Sequence, residues 1–321
     1  RGASAVTRLP LTVRPDGWGR LRAALLGGSL RADVLALRQL YAPTEELARW
    51  ADPNSVAEGT IRIYGPLGNP NLLAGYLVPI LPLALVACVR WRGWGSRMFA
   101  ASAFILGCAS VLFSYSRGGW LALVAALGSL VLLLVLRAIR HWPPLWKRLV
   151  PLALLAAGGV LLALAVTQVD PIRTRVMSLL AGRGDSSNNF RINVWLAAID
   201  MIQDRPWLGI GPGNAAFNSV YPLYQQPKFN ALSAYSVPLE LLVETGLPGL
   251  IACIGLAFAS VRRGLKALAS DADLALPCIG CLAAITGLLV HGAADTIFFR
   301  PEVQISGWFC LATLSQCRPR A

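Results

Sequence analysis

Long apolar runs separated by short basic segments fill most of this chain. Apolar runs lie at about 71–89, 98–113, 119–136, 149–169, 237–261 and 274–298, and several reach the roughly 18 residues of a bilayer-crossing helix. A shorter run over 303–314 is a weaker seventh. The pattern predicts an all-α fold, a polytopic transmembrane helix bundle of six or seven spans. Pro79 and Pro82 interrupt the first span, which membrane helices tolerate when neighbours satisfy the freed carbonyls. Two regions fall outside the pattern. Residues 1–65 are polar and mixed in charge, with a turn signal at Trp50-Ala-Asp-Pro-Asn-Ser55. They read as an extracytoplasmic segment with one or two short helices, leaving 66–317 as the membrane domain. Inside that domain, 170–236 is a long polar loop. Within it Ile192, Trp195, Leu196, Ile199 and Ile202 recur at helical spacing. An amphipathic helix over 189–205 follows, capped by Ser187 or Asn188 and ended by Pro206.

Composition agrees with that division. Hydrophobic residues make up 55% of the 321 and charged residues 14%, where a soluble domain carries about 25% charged. Mean hydropathy is +0.57. The formal net charge of +13 raises the question of nucleic acid, but the basic residues sit in short loops beside the apolar spans, which is the positive-inside pattern. Arg90, Arg92 and Arg97 fall in one such loop, Arg137, Arg140, Lys147 and Arg148 in the next, and Arg262, Arg263 and Lys266 in a third. These loops face the cytoplasm on this reading. The protein is then a multi-pass protein of the plasma (inner) membrane, with the 170–236 loop periplasmic, the lipid bilayer its first partner and no nucleic acid involved. The start at Arg1 without a leader leads us to expect further spans upstream.

Chemistry has few places to reside. Cys278 and Cys281 form a CxxC inside a span with no second ligand pair, so they read as core residues and no metal site is expected. Trp207-Leu-Gly-Ile-Gly-Pro-Gly-Asn214 resembles a dinucleotide fingerprint but lacks its third glycine and the strand–helix unit around it, and no GxxxxGK[ST] motif occurs; no cofactor is expected. Ionisable groups at the rims of spans are the candidates. Arg117 stands at the outer end of the third span, where its fork suits an anion or simply snorkels to the interface. Glu240 and Glu244 lie one turn apart at the start of the fifth span. His291 and Asp295 stand four apart near the end of the sixth, as a proton relay or a polar clamp. Asn69 and Asn71 read as helix caps. Arg173, Arg175, Arg183, Arg191 and Lys228 in the long loop, with Arg117, would form a positive vestibule. Gly118, Ala122 and Ala126 place small residues on one face for close helix packing.

Five segments together carry a resemblance: Tyr64-Gly-Pro-Leu-Gly-Asn-Pro-Asn-Leu-Leu-Ala-Gly75, Ser114-Tyr-Ser-Arg-Gly-Gly-Trp120, Arg191-Ile-Asn-Val-Trp195 running on to Asp204-Arg-Pro-Trp-Leu-Gly-Ile-Gly-Pro-Gly213, Ala234-Tyr-Ser-Val-Pro-Leu-Glu-Leu-Leu-Val-Glu-Thr-Gly-Leu-Pro-Gly249, and His291-Gly-Ala-Ala-Asp-Thr296. In this order they resemble the O-antigen ligase and polymerase superfamily from about residue 60 onward. For its sugar-transferring members the resemblance implies a large periplasmic loop, arginines that hold the diphosphate of an undecaprenyl-diphosphate glycan, and a histidine just before the Leu-Glu helix. Here that position is Tyr235, and a phenol with a pKa near 10 is a poor general base. The change weighs against an enzyme, with Arg117, Arg191 and His291 as the catalytic set if ligase chemistry persists. The Ala-Tyr-Ser version is similar to the cyanobacterial IctB-type branch, described as bicarbonate (inorganic-carbon) transporters or carbon-accumulation factors. That resemblance implies a small anion as substrate, for which Arg117, Arg191, Tyr235, Glu240, Glu244, His291 and Asp295 are the candidate binding residues; the alternative is glycan transfer from the lipid diphosphate.

Overall fold

The computed structural model describes residues 15–41, 62–268 and 275–316. Among these residues the regular elements are all helical, and six stretches are long and apolar enough to cross a membrane. The first comprises α2 (Pro70–Leu77) and α3 (Ile80–Arg90), broken around Pro79, which has no N–H to continue the ladder. The others are α4 (Trp94–Phe113), α5 (Arg117–Ala138), α6 (Pro144–Gln168), α10 (Val237–Leu268) and α11 (Ala275–Gly292). The weaker seventh run is α12 (Pro301–Ser315). The Trp50–Ser55 turn and Cys317 lie outside the described residues.

Helix α11 is the axis of the bundle. It packs on α5, α3, α12 and α10, and its sequence explains why. Gly280 and Gly287 stand seven residues apart on one face. A Cβ on Gly287 would come within 2.6 Å of Val78 and 3.0 Å of Ala126, so the Ala122/Ala126 face of α5 approaches α11 at close to backbone contact. Small residues permit this, and in a bilayer such packing, rather than exclusion of water, holds helices together. Cys278 and Cys281 are buried in this core. By contrast α6 buries none of its side chains within the chain, as expected of a helix that meets lipid on most sides.

Two features depart from the sequence expectation. The segment before the first span contains one long helix, α1 (Pro15–Arg38), lying against α3 and α4. Four arginines hide its apolar stripe from a hydropathy reading, but Leu25, Leu26, Ser29, Ala32, Asp33 and Ala36 recur at helical spacing and are buried. At its start Gly19 and Ala23 border Trp91 and Gly95. Beyond its end Gln39 accepts hydrogen bonds from the backbone N–H groups of Tyr64 and Gly65, each at 2.9 Å. The sixth span also ends early. After Gly292 the chain turns, so Asp295 does not share a helix face with His291; its carboxylate instead accepts from the Thr296 N–H at 2.8 Å.

The long loop folds into α7 (Asp170–Leu180), α8 (Ser186–Asp204) and α9 (Asn214–Val220). The cap of α8 is Asp185, accepting from the Asn188 N–H at 3.0 Å, and not Ser187 or Asn188. Helix α8 packs on α10, where Val194, Ala197, Ala198 and Met201 join Phe217 and Tyr221 in a separate loop core.

Candidate functional site at the loop end of the bundle

The residues that begin α2 and α5, end α11 and line the inner side of α8 meet where the loop covers the bundle. Asn69 caps α2, accepting from the N–H groups of Asn71 at 2.8 Å and Leu72 at 3.3 Å. Asn71 therefore turns its amide the other way. Its Nδ2 donates to Asp295 at 2.9 Å, and its Oδ1 accepts from Arg62 at 3.0 Å. Arg62 also donates through Nε to the Ser114 carbonyl at 3.0 Å. From the loop, Arg191 pairs with Asp295 at 3.6 Å and donates to Ser187 at 3.0 Å. Asp295 thus receives an amide from the membrane helices and a guanidinium from α8.

His291 sits beside this pair, within electrostatic reach of Asp295 and Arg191. It is only 1% exposed, and its ring lies against Gly118, where a Cβ would fall 2.9 Å from Cδ2. Neither ring nitrogen has a hydrogen-bond partner, and the Arg191 Nε is likewise buried and unpartnered. A neutral imidazole offers one donor and one acceptor, and leaving both unmet inside a protein costs on the order of 1–3 kcal/mol each. Three unused polar atoms thus belong to two adjacent side chains.

Tyr235 closes the site from the loop. Its φ of 49° places it in the left-handed region, its ring packs edge-on to Phe190, and its carbonyl accepts from Trp195 Nε1 at 3.3 Å. Burial, and then the charge of Asp295, push its phenol above the ordinary tyrosine range. It stays neutral at physiological pH and can donate a proton to a hydrogen bond, but it is no base.

Residues 101–254 match the family model for O-antigen ligase. No curated protein matches the chain. The segment that matches the ligase family supplies Arg117, Asp185, Arg191, Tyr235, Glu240 and Glu244. Arg62, Asn71, His291 and Asp295 come from either side of it and pack onto it, so the site straddles the ligase-like segment. Sequence reasoning passed over Arg62 and Asp185 and read Asn71 as a cap. Arg62 was legible as a lone cation just before the Tyr64–Gly75 segment; Asp185 carried no signal until its partner was known.

That partner is Arg117. Its guanidinium donates to Asp185 at 3.0 Å and to Ser178 at 2.9 Å, and the two charged side chains are 9% and 0% exposed. Arg117 therefore ties α7 and α8 to the bundle. The glutamates have a similar task. Glu240 accepts from the Ala234 N–H and Glu244 from the Gly213 N–H, so both clip loop backbone onto α10. Arg183 is engaged by Asn189 at 3.2 Å, Arg173 lies exposed against Asp170 at 3.4 Å, and the Arg175 side chain lies outside the described part of the structure. Asp185→Asn should leave Arg117 buried and unpaired and lower stability by about 3 kcal/mol. Adding Arg117→Met should restore much of that loss. Thermal melting of the two variants, with protease sensitivity of residues 170–204, checks this; a single variant that melts like the parent rejects the clamp.

Proposed function

We propose that this chain transfers a glycan from a membrane lipid-diphosphate carrier to an acceptor hydroxyl at the loop end of the bundle. The observation that carries the reading is the buried His291 with both nitrogens unused, held beside the Arg191–Asp295 pair. The match to the ligase family supports the substrate class, and the basic loops at the opposite end support a periplasmic position for the site in the inner membrane.

The chemistry follows from what those groups can do. An acceptor hydroxyl that hydrogen-bonds to the free nitrogen of His291 gives up its proton to the imidazole as its oxygen attacks the anomeric carbon. The bond from that carbon to the phosphate oxygen breaks, and the lipid diphosphate leaves with the electron pair. Arg191 has Nε still unused, so it can donate to that departing oxygen, a charge-assisted contact. Asp295 fixes the Arg191 side chain. Tyr235, neutral, donates to a sugar or phosphate oxygen rather than removing a proton.

The expectation of bicarbonate transport drew on a positive vestibule. Arg117 and Arg191, its two inner members, are each ion-paired within the chain, so neither offers an unpaired charge to a small anion. One experiment separates the readings. Full-length protein in liposomes is given a polyprenyl-diphosphate oligosaccharide and an acceptor glycolipid, and free polyprenyl diphosphate is measured, with labelled bicarbonate uptake followed in parallel. We expect diphosphate release, with Arg191→Gln weakening donor use by about 10- to 100-fold, the value of a charged hydrogen bond. Bicarbonate uptake without diphosphate release would overturn the proposal.

A further inference from the structure

Away from this site, the strongest unexplained feature is Asp33 on α1. It is fully buried, and neither carboxylate oxygen has a hydrogen-bond partner. The Ser110 hydroxyl on α4 is close enough to act on it, yet its oxygen too makes no hydrogen bond. Gly107 on α4 faces the carboxyl, where a Cβ would lie in ordinary contact with Oδ2 at 3.5 Å and would crowd Leu81 at 2.6 Å. The titratable groups around Asp33 are Cys108 on α4 and Tyr76 on α2. None of the described lysines or arginines hydrogen-bonds to it.

A bare carboxylate in such a place is costly, because no cation and no more than one nearby hydroxyl repays its lost hydration. A carboxyl group carrying a proton removes the difficulty, since it gains an O–H donor that an unpartnered hydroxyl oxygen can accept. Proton exchange needs a route, and the groove that Tyr76 lines is the candidate. A groove of about 450 Å³ runs between α1 and α12, lined in part by Gly28, Arg31, Leu35, Tyr76 and Glu302. The Tyr76 hydroxyl reaches Gly28, 3.0 Å from where its Cβ would be, and Tyr76 lies within electrostatic reach of both Asp33 and Glu302. Glu302 is exposed in the first turn of α12, at the loop end.

We infer that Asp33 is a proton-binding site, exchanging with solvent on the loop side through Tyr76 and Glu302. On release, the carboxyl proton passes to water admitted beside Tyr76 and from there to Glu302 and bulk solvent; uptake runs in reverse. Charging Asp33 places an uncompensated negative charge between α1 and α4, so the bound proton also seats α1. This inference does not depend on the glycan-transfer reading.

Infrared difference spectroscopy on full-length protein in lipid tests it directly. Stepping the pH of the wild type should reveal the carbonyl stretch of a protonated carboxyl group that is missing from Asp33→Asn, a neutral isostere expected to fold. Ser110→Ala should shift that band without removing it. Tyr76→Phe should slow the band's exchange into heavy water by roughly a hundredfold, the low end of what a positioned proton donor contributes. No Asp33-dependent carbonyl band at any pH overturns the proposal, as does a band removed by adding sodium, which would make the site a cation site. Wild-type exchange in Tyr76→Phe overturns the route.

Discussion

Gly246→Ala is expected to detach the loop after α8 from the bundle and to cost about 3–5 kcal/mol, the sum of backbone strain and lost hydrogen bonds. Gly246 sits inside α10 with φ 65° and ψ −167°, a conformation essentially restricted to glycine. Its consequences are read from the backbone. Pro248 has no N–H, so the Glu244 carbonyl lacks its helical donor. The Leu247 N–H, which would have served Val243, instead donates to the Pro206 carbonyl at 2.9 Å. The two carbonyls left over are taken by the loop: Ile210 N–H donates to Val243 at 2.8 Å, and Gly211 N–H to Glu244 at 3.0 Å. Such bonds need backbone-to-backbone contact. A Cβ on Gly246 would fall 2.3 Å from the Trp207 oxygen, and one on Gly209, at φ 64°, would fall 2.5 Å from the Val243 oxygen. Limited proteolysis around 205–213 and thermal melting in lipid measure the effect. Parent-like behaviour in both would show that the joint does not hold the loop.

That joint explains what the sequence did and did not make legible. Trp207–Gly213 stands out in the sequence as a glycine-rich stretch that is no dinucleotide fingerprint, and Glu244-Thr-Gly-Leu-Pro-Gly249 as part of a segment resembling the ligase superfamily. Nothing in either stretch says that the two are halves of one contact, because hydrogen bonds between backbones leave no side-chain signature. The spans were legible for the opposite reason: bilayer thickness imposes a length and an apolar content that any window detects. Helix α1 escaped that reading because its arginines dilute the average while its buried residues are confined to one face. In the site, Arg191 stood out as a cation of the long loop, Tyr235 through the resemblance, and His291 and Asp295 as ionisable residues at the rim of a span; the structure brings the four together. Arg117, Glu240 and Glu244 were found by the same rule but are turned onto Asp185 and onto loop backbone. Charge at a membrane rim marks a residue with a task; only its partner tells whether the task is chemistry or attachment.

Under the transfer reading, His291→Gln should reduce turnover by about 10²- to 10⁴-fold, the contribution of a positioned general base. Donor binding should be little changed, because Arg191 and Asp295 remain. Glutamine is the informative substitution. It keeps one donor and one acceptor near the positions of the ring nitrogens but cannot take a proton at neutral pH, so loss of packing and loss of chemistry come apart. A residue buried only to hold helices together would show the reverse, with a lower melting temperature and turnover close to the parent's per folded molecule. Gly118→Ala supplies an independent check. Its new methyl would lie 2.9 Å from His291 Cδ2, so the ring must shift while its chemistry is intact. Small displacements of a reacting group cost rate rather than affinity, and the variant should lower kcat with KM for the lipid-diphosphate donor held. If His291→Gln turns over normally in correctly inserted protein, the imidazole is not the base, and the unused nitrogens must be met by something other than an acceptor hydroxyl.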